Sequence, residues 1–137
     1  MIDANLNRAK EGLRVCEEVT RFILDDRSLT CGFKAVRHRV DLAAVSCPDR
    51  DELLGSRSSK KDVGRTVSSV SGEFKRSGYR DIFLANIQRV KESIRVLEEF
   101  SKLNRVDAAL KFKALRYDVY ELEKKVIKKF SSVCDHR

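Results

Sequence analysis

The chain has 137 residues and a net charge of +8, with 29 Lys and Arg against 21 Asp and Glu. This length predicts a single domain over 1–137 and excludes a (β/α)₈ barrel, which needs about 200 residues or more. The positive charge favours anionic partners, namely nucleic acid, a phosphorylated metabolite or an acidic membrane surface, and composition does not choose among them.

The predicted location is the cytoplasm. No apolar run is long enough to span a membrane, and the first residues lack the basic segment and apolar stretch of a signal peptide. The four cysteines form no CxxC pair and are expected to be reduced thiols. Because the only imidazoles are His38 and His136, we expect no zinc or redox cofactor.

The two halves of the chain repeat one another. At an offset of 81, residues 4–18 (ANLNRAKEGLRVCEE) match residues 85–99 (ANIQRVKESIRVLEE), with nine of the fifteen positions identical. Further along, at an offset of 79, residues 33–37 (FKAVR) match residues 112–116 (FKALR). Each half is therefore a pair of segments.

All four segments have the spacing of amphipathic helices, because their apolar residues recur every three to four positions. Either Asp26 or Ser28 can cap the second helix. The predicted helices cover about 3–25, 28–46, 80–102 and 105–131. Two helical hairpins that each bury one apolar stripe predict an all-α fold, a four-helix bundle with an internal pseudo-two-fold axis.

A long connection, 47–79, separates repeat 1 (about 2–46) from repeat 2 (about 80–131). It holds four of the six glycines, together with many serines and basic residues. A connection of this length is usually either functional or disordered. It is a solvated linker, or it closes over an anionic ligand with a cradle of amides and hydroxyls around Asp62 and Gly64.

Polar residues fall on the apolar arcs of two predicted helices. At about 100° per residue, Asn5 lies near the middle of the first arc and Arg8 lies well inside it. Asn86 and Arg89 repeat this arrangement on the third helix. A buried amide or guanidinium costs several kcal/mol unless it is partnered, so these positions need an explanation.

Two interpretations fit these residues. In the structural one, the asparagines bind backbone and pairs such as Arg8 with Glu11 form a buried network that sets the helix register. In the functional one, Arg8 and Arg89 line a cleft and bind phosphate oxygens, while Glu11 or Glu92 orients a donor or a Mg²⁺ ion. No P-loop and no GxGxxG motif occurs, so any ATP site is of another kind.

Residues 2–15 (IDANLNRAKEGLRV) resemble the start of the hydroxymethylpyrimidine phosphate kinases of thiamin biosynthesis. These kinases occur alone or fused in front of thiamine-phosphate synthase. The resemblance extends to about Phe130 and includes 33–38, 62–64, 85–89 and 92–99. The loop departs from the usual family pattern, since Ser58 replaces an aspartate and Lys61 replaces a glycine.

The resemblance implies a phosphotransferase that uses Mg-ATP as co-substrate and converts 4-amino-5-hydroxymethyl-2-methylpyrimidine phosphate to its pyrophosphate. It also implies a functional link to thiamine-phosphate synthase, which consumes that product. The chain has no room for the synthase barrel, so the synthase reaction itself is not expected. A homodimer is compatible with the resemblance, and no membrane partner is expected.

The resemblance also assigns roles to residues. It implies no dedicated metal site, since Mg²⁺ accompanies ATP, and it does not identify the ligands of that ion. Glu11 and Glu92 are the catalytic candidates, which hold Mg²⁺ or the arginines. The candidates for binding substrate and phosphate are Asn5, Arg8, Asn86, Arg89, Asp62 and Gly64.

Two other functions remain open from the sequence. A basic helical module for nucleic acid or protein interaction would explain the net charge and the lysines near the C-terminus. The chain lacks helix-turn-helix spacing and has only ten Phe and Tyr, so nucleic acid is not the expected partner. A paralogue that binds a pyrimidine phosphate without turnover is the other alternative.

Overall fold

A computed structural model describes residues 1–45 and 75–135, except for the side chains of the last two. This part of the chain contains α-helices and no strand, which confirms the predicted all-α fold. The candidate residues Asp62 and Gly64 lie outside the described residues. The four helices are α1 (Ile2–Glu18), α2 (Arg27–Val45), α3 (Tyr79–Ser101) and α4 (Val106–Asp135).

The connection between α1 and α2 is a π-helical segment followed by a sharp reversal. The π segment covers Val19–Ile23, and Asp25 then adopts a left-handed backbone conformation with φ of 50°. The next residue, Asp26, accepts a hydrogen bond through Oδ1 from the backbone N–H of Leu29, at 2.9 Å. This bond confirms Asp26 as the cap of the second helix.

The π segment also explains why the repeat offset changes from 81 to 79. The ion-paired residues Glu17 and Arg37 are 20 positions apart, whereas their equivalents Glu98 and Arg116 are 18 apart. The first hairpin therefore contains two additional residues, which the π segment and its reversal accommodate. In the second hairpin, α3 stays α-helical through Ser101.

Ion pairs between helices give their relative directions. In three pairs of helices, the residue numbers of the ion-paired positions rise along one helix and fall along the other. The pairs α1 and α2, α3 and α4, and α2 and α4 are therefore each antiparallel. Helices α1 and α3 are consequently also antiparallel, and the two short connections lie at opposite ends of the bundle. The pairs are Lys10–Asp41 and Arg37–Glu17, Lys91–Glu123 and Arg116–Glu98, and Arg39–Asp118 and Lys129–Asp26.

The buried apolar residues of the four helices form one contiguous cluster. The ring of Phe83 lies 6.0 Å from that of Phe33 and 6.3 Å from that of Phe130, so three phenylalanines join α2, α3 and α4. Such spacings are favourable for aromatic pairs. Among the described helices, none has the length and apolar content to cross a membrane.

Gly12 marks a close contact between α1 and α3. A Cβ atom at this position would lie 2.6 Å from Cγ2 of Val90 and 3.0 Å from the backbone oxygen of Asn86. The absence of a side chain at Gly12 therefore sets the distance between these helices.

We expect Gly12→Leu to lower the free energy of unfolding by about 1–3 kcal/mol, because the new side chain must push α3 away. Urea unfolding followed by far-UV circular dichroism measures the change. The matched control is Ala114→Leu, which adds the same side chain to an exposed position of α4. Equal stability of the two variants would contradict the close contact.

Candidate functional site

The two candidate asparagines bind the backbone of their own helices. Nδ2 of Asn5 donates to the backbone oxygen of Met1 at 3.0 Å, and Nδ2 of Asn86 donates to that of Ile82 at 2.8 Å. Asn5 is buried, as its position in the apolar arc predicts. These are the backbone contacts that the structural interpretation of the asparagines requires.

The predicted burial of the candidate arginines is wrong, because Arg8 and Arg89 are both exposed. The long side chain of each reaches water instead of burying a charge at a cost of several kcal/mol. Glu11 and Glu92 are exposed as well, and Oε1 of Glu92 accepts a hydrogen bond from Gln88 at 3.0 Å. Within the described residues, Arg8 and Glu11 do not form the predicted ion pair.

The fold nevertheless brings the α1 and α3 candidates to one helix contact. Gly12 packs against Asn86 and Val90, and Arg89 directly precedes Val90 in α3. Arg8 is one helical turn from Gly12 on α1. Two exposed guanidinium groups at equivalent repeat positions therefore flank the contact between α1 and α3, where a phosphate group could accept hydrogen bonds from them.

A buried glutamate, which the sequence reasoning did not select, lies at the second hairpin. Glu98 is 1% exposed and binds two arginines. Arg95 binds Oε2 from one turn earlier in α3, and Nη2 of Arg116 in α4 is 3.2 Å from Oε1. One carboxylate thus binds two guanidinium groups and joins α3 to α4.

The first hairpin repeats this arrangement. Glu17 is 5% exposed, and its Oε2 lies 3.2 Å from Nη1 of Arg14 and 3.2 Å from Nη2 of Arg37 in α2. We refer to Arg14, Glu17 and Arg37 with their equivalents Arg95, Glu98 and Arg116 as the two glutamate–arginine clusters. The sequence does contain a signal for these glutamates. Both repeats have an arginine followed by a glutamate three residues later, and both residues are identical in the two repeats.

Arg116 makes the larger set of contacts of the two interhelical arginines. Its Nη1 donates to the hydroxyl of Tyr120 at 3.1 Å, and its guanidinium carbon lies 5.2 Å from the centre of the Tyr117 ring. The bond to Tyr120 and then the contact with Glu98 raise the pKa of Arg116 above its ordinary value, although burial acts in the opposite direction. The guanidinium is therefore a fixed cation in this cluster.

Comparison with known proteins identifies relatives over nearly the whole chain. The profile of the ThiD2 family matches residues 1–125. A thiamine-phosphate synthase of Synechocystis sp. is 41% identical over 123 residues, which are 90% of this chain and 34% of that protein. The proteins of the same name from Rhodopirellula baltica and Nostoc punctiforme are 41% and 40% identical and cover 92% and 90% of this chain.

The chain spans about one third of the length of these curated relatives. No solved structure matches it. Because the family profile covers far more than half of the residues, the chain belongs to the ThiD2 family.

Proposed function

We propose that this protein acts in thiamin biosynthesis and phosphorylates hydroxymethylpyrimidine phosphate to its pyrophosphate with Mg-ATP. Membership of the ThiD2 family and the name of the relatives support the pathway. The observation that carries the reaction is the pair of exposed arginines, Arg8 and Arg89, at the contact between α1 and α3. We do not extend the synthase reaction to this chain, because it spans only about one third of the proteins that bear that name.

The proposed reaction needs no covalent intermediate and is compatible with an exposed cationic site. An oxygen of the pyrimidine monophosphate attacks the γ-phosphorus of ATP, the bond from that phosphorus to the bridging oxygen breaks, and ADP leaves. Catalysis of such a transfer depends mainly on positioning the reactants and neutralising charge. Arg8 and Arg89 supply planar cationic donors that bind phosphate oxygens in pairs.

Mg²⁺ would enter with ATP, and carboxylate oxygens are suitable ligands for it. Glu11 and Glu92 are exposed and lie one turn beyond Arg8 and Arg89 along their helices. In the proposal they either hold the ion or orient the arginines, and the ion itself lowers the charge repulsion between the two substrates.

Release of ADP from Mg-ATP tests the proposal directly. We expect the purified protein to release ADP only when the pyrimidine monophosphate is present, and the unphosphorylated pyrimidine serves as the control. A folded protein that releases no ADP would refute the kinase activity. Thermal stabilisation by the monophosphate without turnover would instead identify a binding paralogue.

We expect Arg8→Ala and Arg89→Ala each to lower kcat/KM about a hundredfold, because each removes a charge-assisted contact to phosphate. Steady-state kinetics measure the effect, and far-UV circular dichroism verifies that the variants fold. Arg105→Ala is the control, since it removes an exposed arginine between α3 and α4. Full turnover by Arg8→Ala would exclude its role in binding phosphate.

A further inference from the structure

A second charged region lies at the first hairpin, on another side of α1 from Arg8. A cavity of about 420 Å³ is lined by residues of α1, the π segment and α2, and we refer to it as the hairpin cavity. Arg14, which lines it, is six residues from Arg8 and so about 120° away around the helix. The volume lies within the usual range for sites that bind small molecules.

The hairpin cavity has an excess of positive charge. Five cationic and three acidic side chains line it, which leaves two net positive charges. Two of the carboxylates have partners, since Glu17 binds two arginines and Asp26 caps α2 and pairs with Lys129. These two carboxylates of the cavity wall are therefore already bound by other groups of the protein.

Several donors of the cavity wall remain available. Arg27 and Lys34 are exposed, and neither forms an ion pair with another described residue. Nε of Arg37 is buried without a hydrogen-bond partner among the described residues, but so is Nε of its equivalent Arg116, so this donor does not distinguish the cavity. An anionic ligand in the cavity could accept charge-assisted hydrogen bonds from Arg27 and Lys34.

The second hairpin shows that the fold does not require Arg27 or Thr30, whereas Lys34 has the equivalent Lys113 there. At the positions equivalent to Arg27 and Thr30, it has Val106 and Ala109. Both hairpins nevertheless contain a glutamate–arginine cluster. The cluster thus belongs to the common framework, whereas the cation at position 27 and the hydroxyl at position 30 are particular to the first hairpin.

We propose that the hairpin cavity binds a small molecule with two phosphate groups, through Arg27 and Lys34. Arg27 and Lys34 are two helical turns apart, about 10 Å along α2, so they suit an elongated anion better than a single phosphate. The inference does not depend on the proposed kinase reaction, because binding is measured without ATP or the pyrimidine.

Cys31 provides the experiment, because it is exposed and lines the cavity. The full chain is treated with N-ethylmaleimide, and mass spectrometry of its peptides measures alkylation of Cys31 at increasing concentrations of inorganic pyrophosphate. We expect pyrophosphate to slow the alkylation in a saturable manner. Cys16 should stay unmodified in every sample, since it is fully buried and burial raises the pKa of its thiol.

Variants distinguish a specific binding site from a general screening of the protein's charges by the added anion. Arg27→Ala and Lys34→Ala should each raise the half-protecting concentration of pyrophosphate about tenfold, as expected for loss of one charge-assisted hydrogen bond. Lys113→Ala, the equivalent of Lys34 in the second hairpin, should leave that concentration unchanged.

Three results would overturn the proposal. The first is equal protection of Cys31 by chloride at the same ionic strength, which would show screening only. The second is an effect of Lys113→Ala as large as that of Lys34→Ala. The third is protection by inorganic phosphate at the same concentration as pyrophosphate, which would exclude a ligand with two phosphate groups.

Discussion

Glu98→Ala is expected to lower the free energy of unfolding by about 3–5 kcal/mol, as is usual when one partner of a buried ion pair is removed. Glu98 is 1% exposed and is the carboxylate partner of Arg95 and Arg116. Without it, the largely buried guanidinium of Arg116 keeps its contact with Tyr120 but loses its counter-charge. Equilibrium unfolding in urea measures the loss.

Two further variants keep this prediction specific. Glu99→Ala removes the neighbouring carboxylate, which is 44% exposed, and should cost far less stability, because exposed ion pairs contribute little. The double variant Glu98→Leu with Arg116→Met should regain much of the stability, because it replaces the buried charges with apolar groups. A cost for Glu98→Ala no larger than for Glu99→Ala would show that the cluster contributes little.

Phe83→Ala is expected to lower the free energy of unfolding by about 3–5 kcal/mol, because it leaves a cavity where α2, α3 and α4 meet. The side chain is fully buried, and its ring contacts those of Phe33 and Phe130. For a domain of ordinary stability, this is a large part of the total free energy of unfolding. The midpoint of thermal unfolding should fall accordingly.

Phe100→Ala is the control for this variant, since it removes the same ring from a position of α3 that is 43% exposed. Its expected cost is about 0.5 kcal/mol or less. If both variants unfolded at the same temperature as the parent protein, the phenylalanine contacts would not be the centre of the core.

The glutamate–arginine clusters separate cations that bind buried carboxylates from cations that are exposed to solvent. Arg37 and Arg116 point their Nη2 groups at buried glutamates, so these groups are occupied by the protein itself. Arg8 and Arg89 are exposed at the contact between α1 and α3, and Arg27 and Lys34 are exposed at the hairpin cavity. A positive net charge alone does not make this distinction.

The sequence by itself determined the helices and limited the cap of the second helix to Asp26 or Ser28. Helical periodicity and capping depend on residues three or four positions apart, so they can be read along the chain. The buried position of Asn5 was correct for the same reason, because it follows from its place in the apolar arc. The repeat also determined which positions of the two halves correspond.

Only the tertiary structure decided which charged residues are buried. The helical wheel placed Arg8 inside the apolar arc, but a wheel does not show that a long side chain can reach water from there. Burial of Glu17 and Glu98 was missed because each is stabilised by an arginine from a neighbouring helix, Arg37 or Arg116. A charge can be buried only where such a partner arrives through the fold, and the distance between partners in space is not contained in the local pattern of the chain.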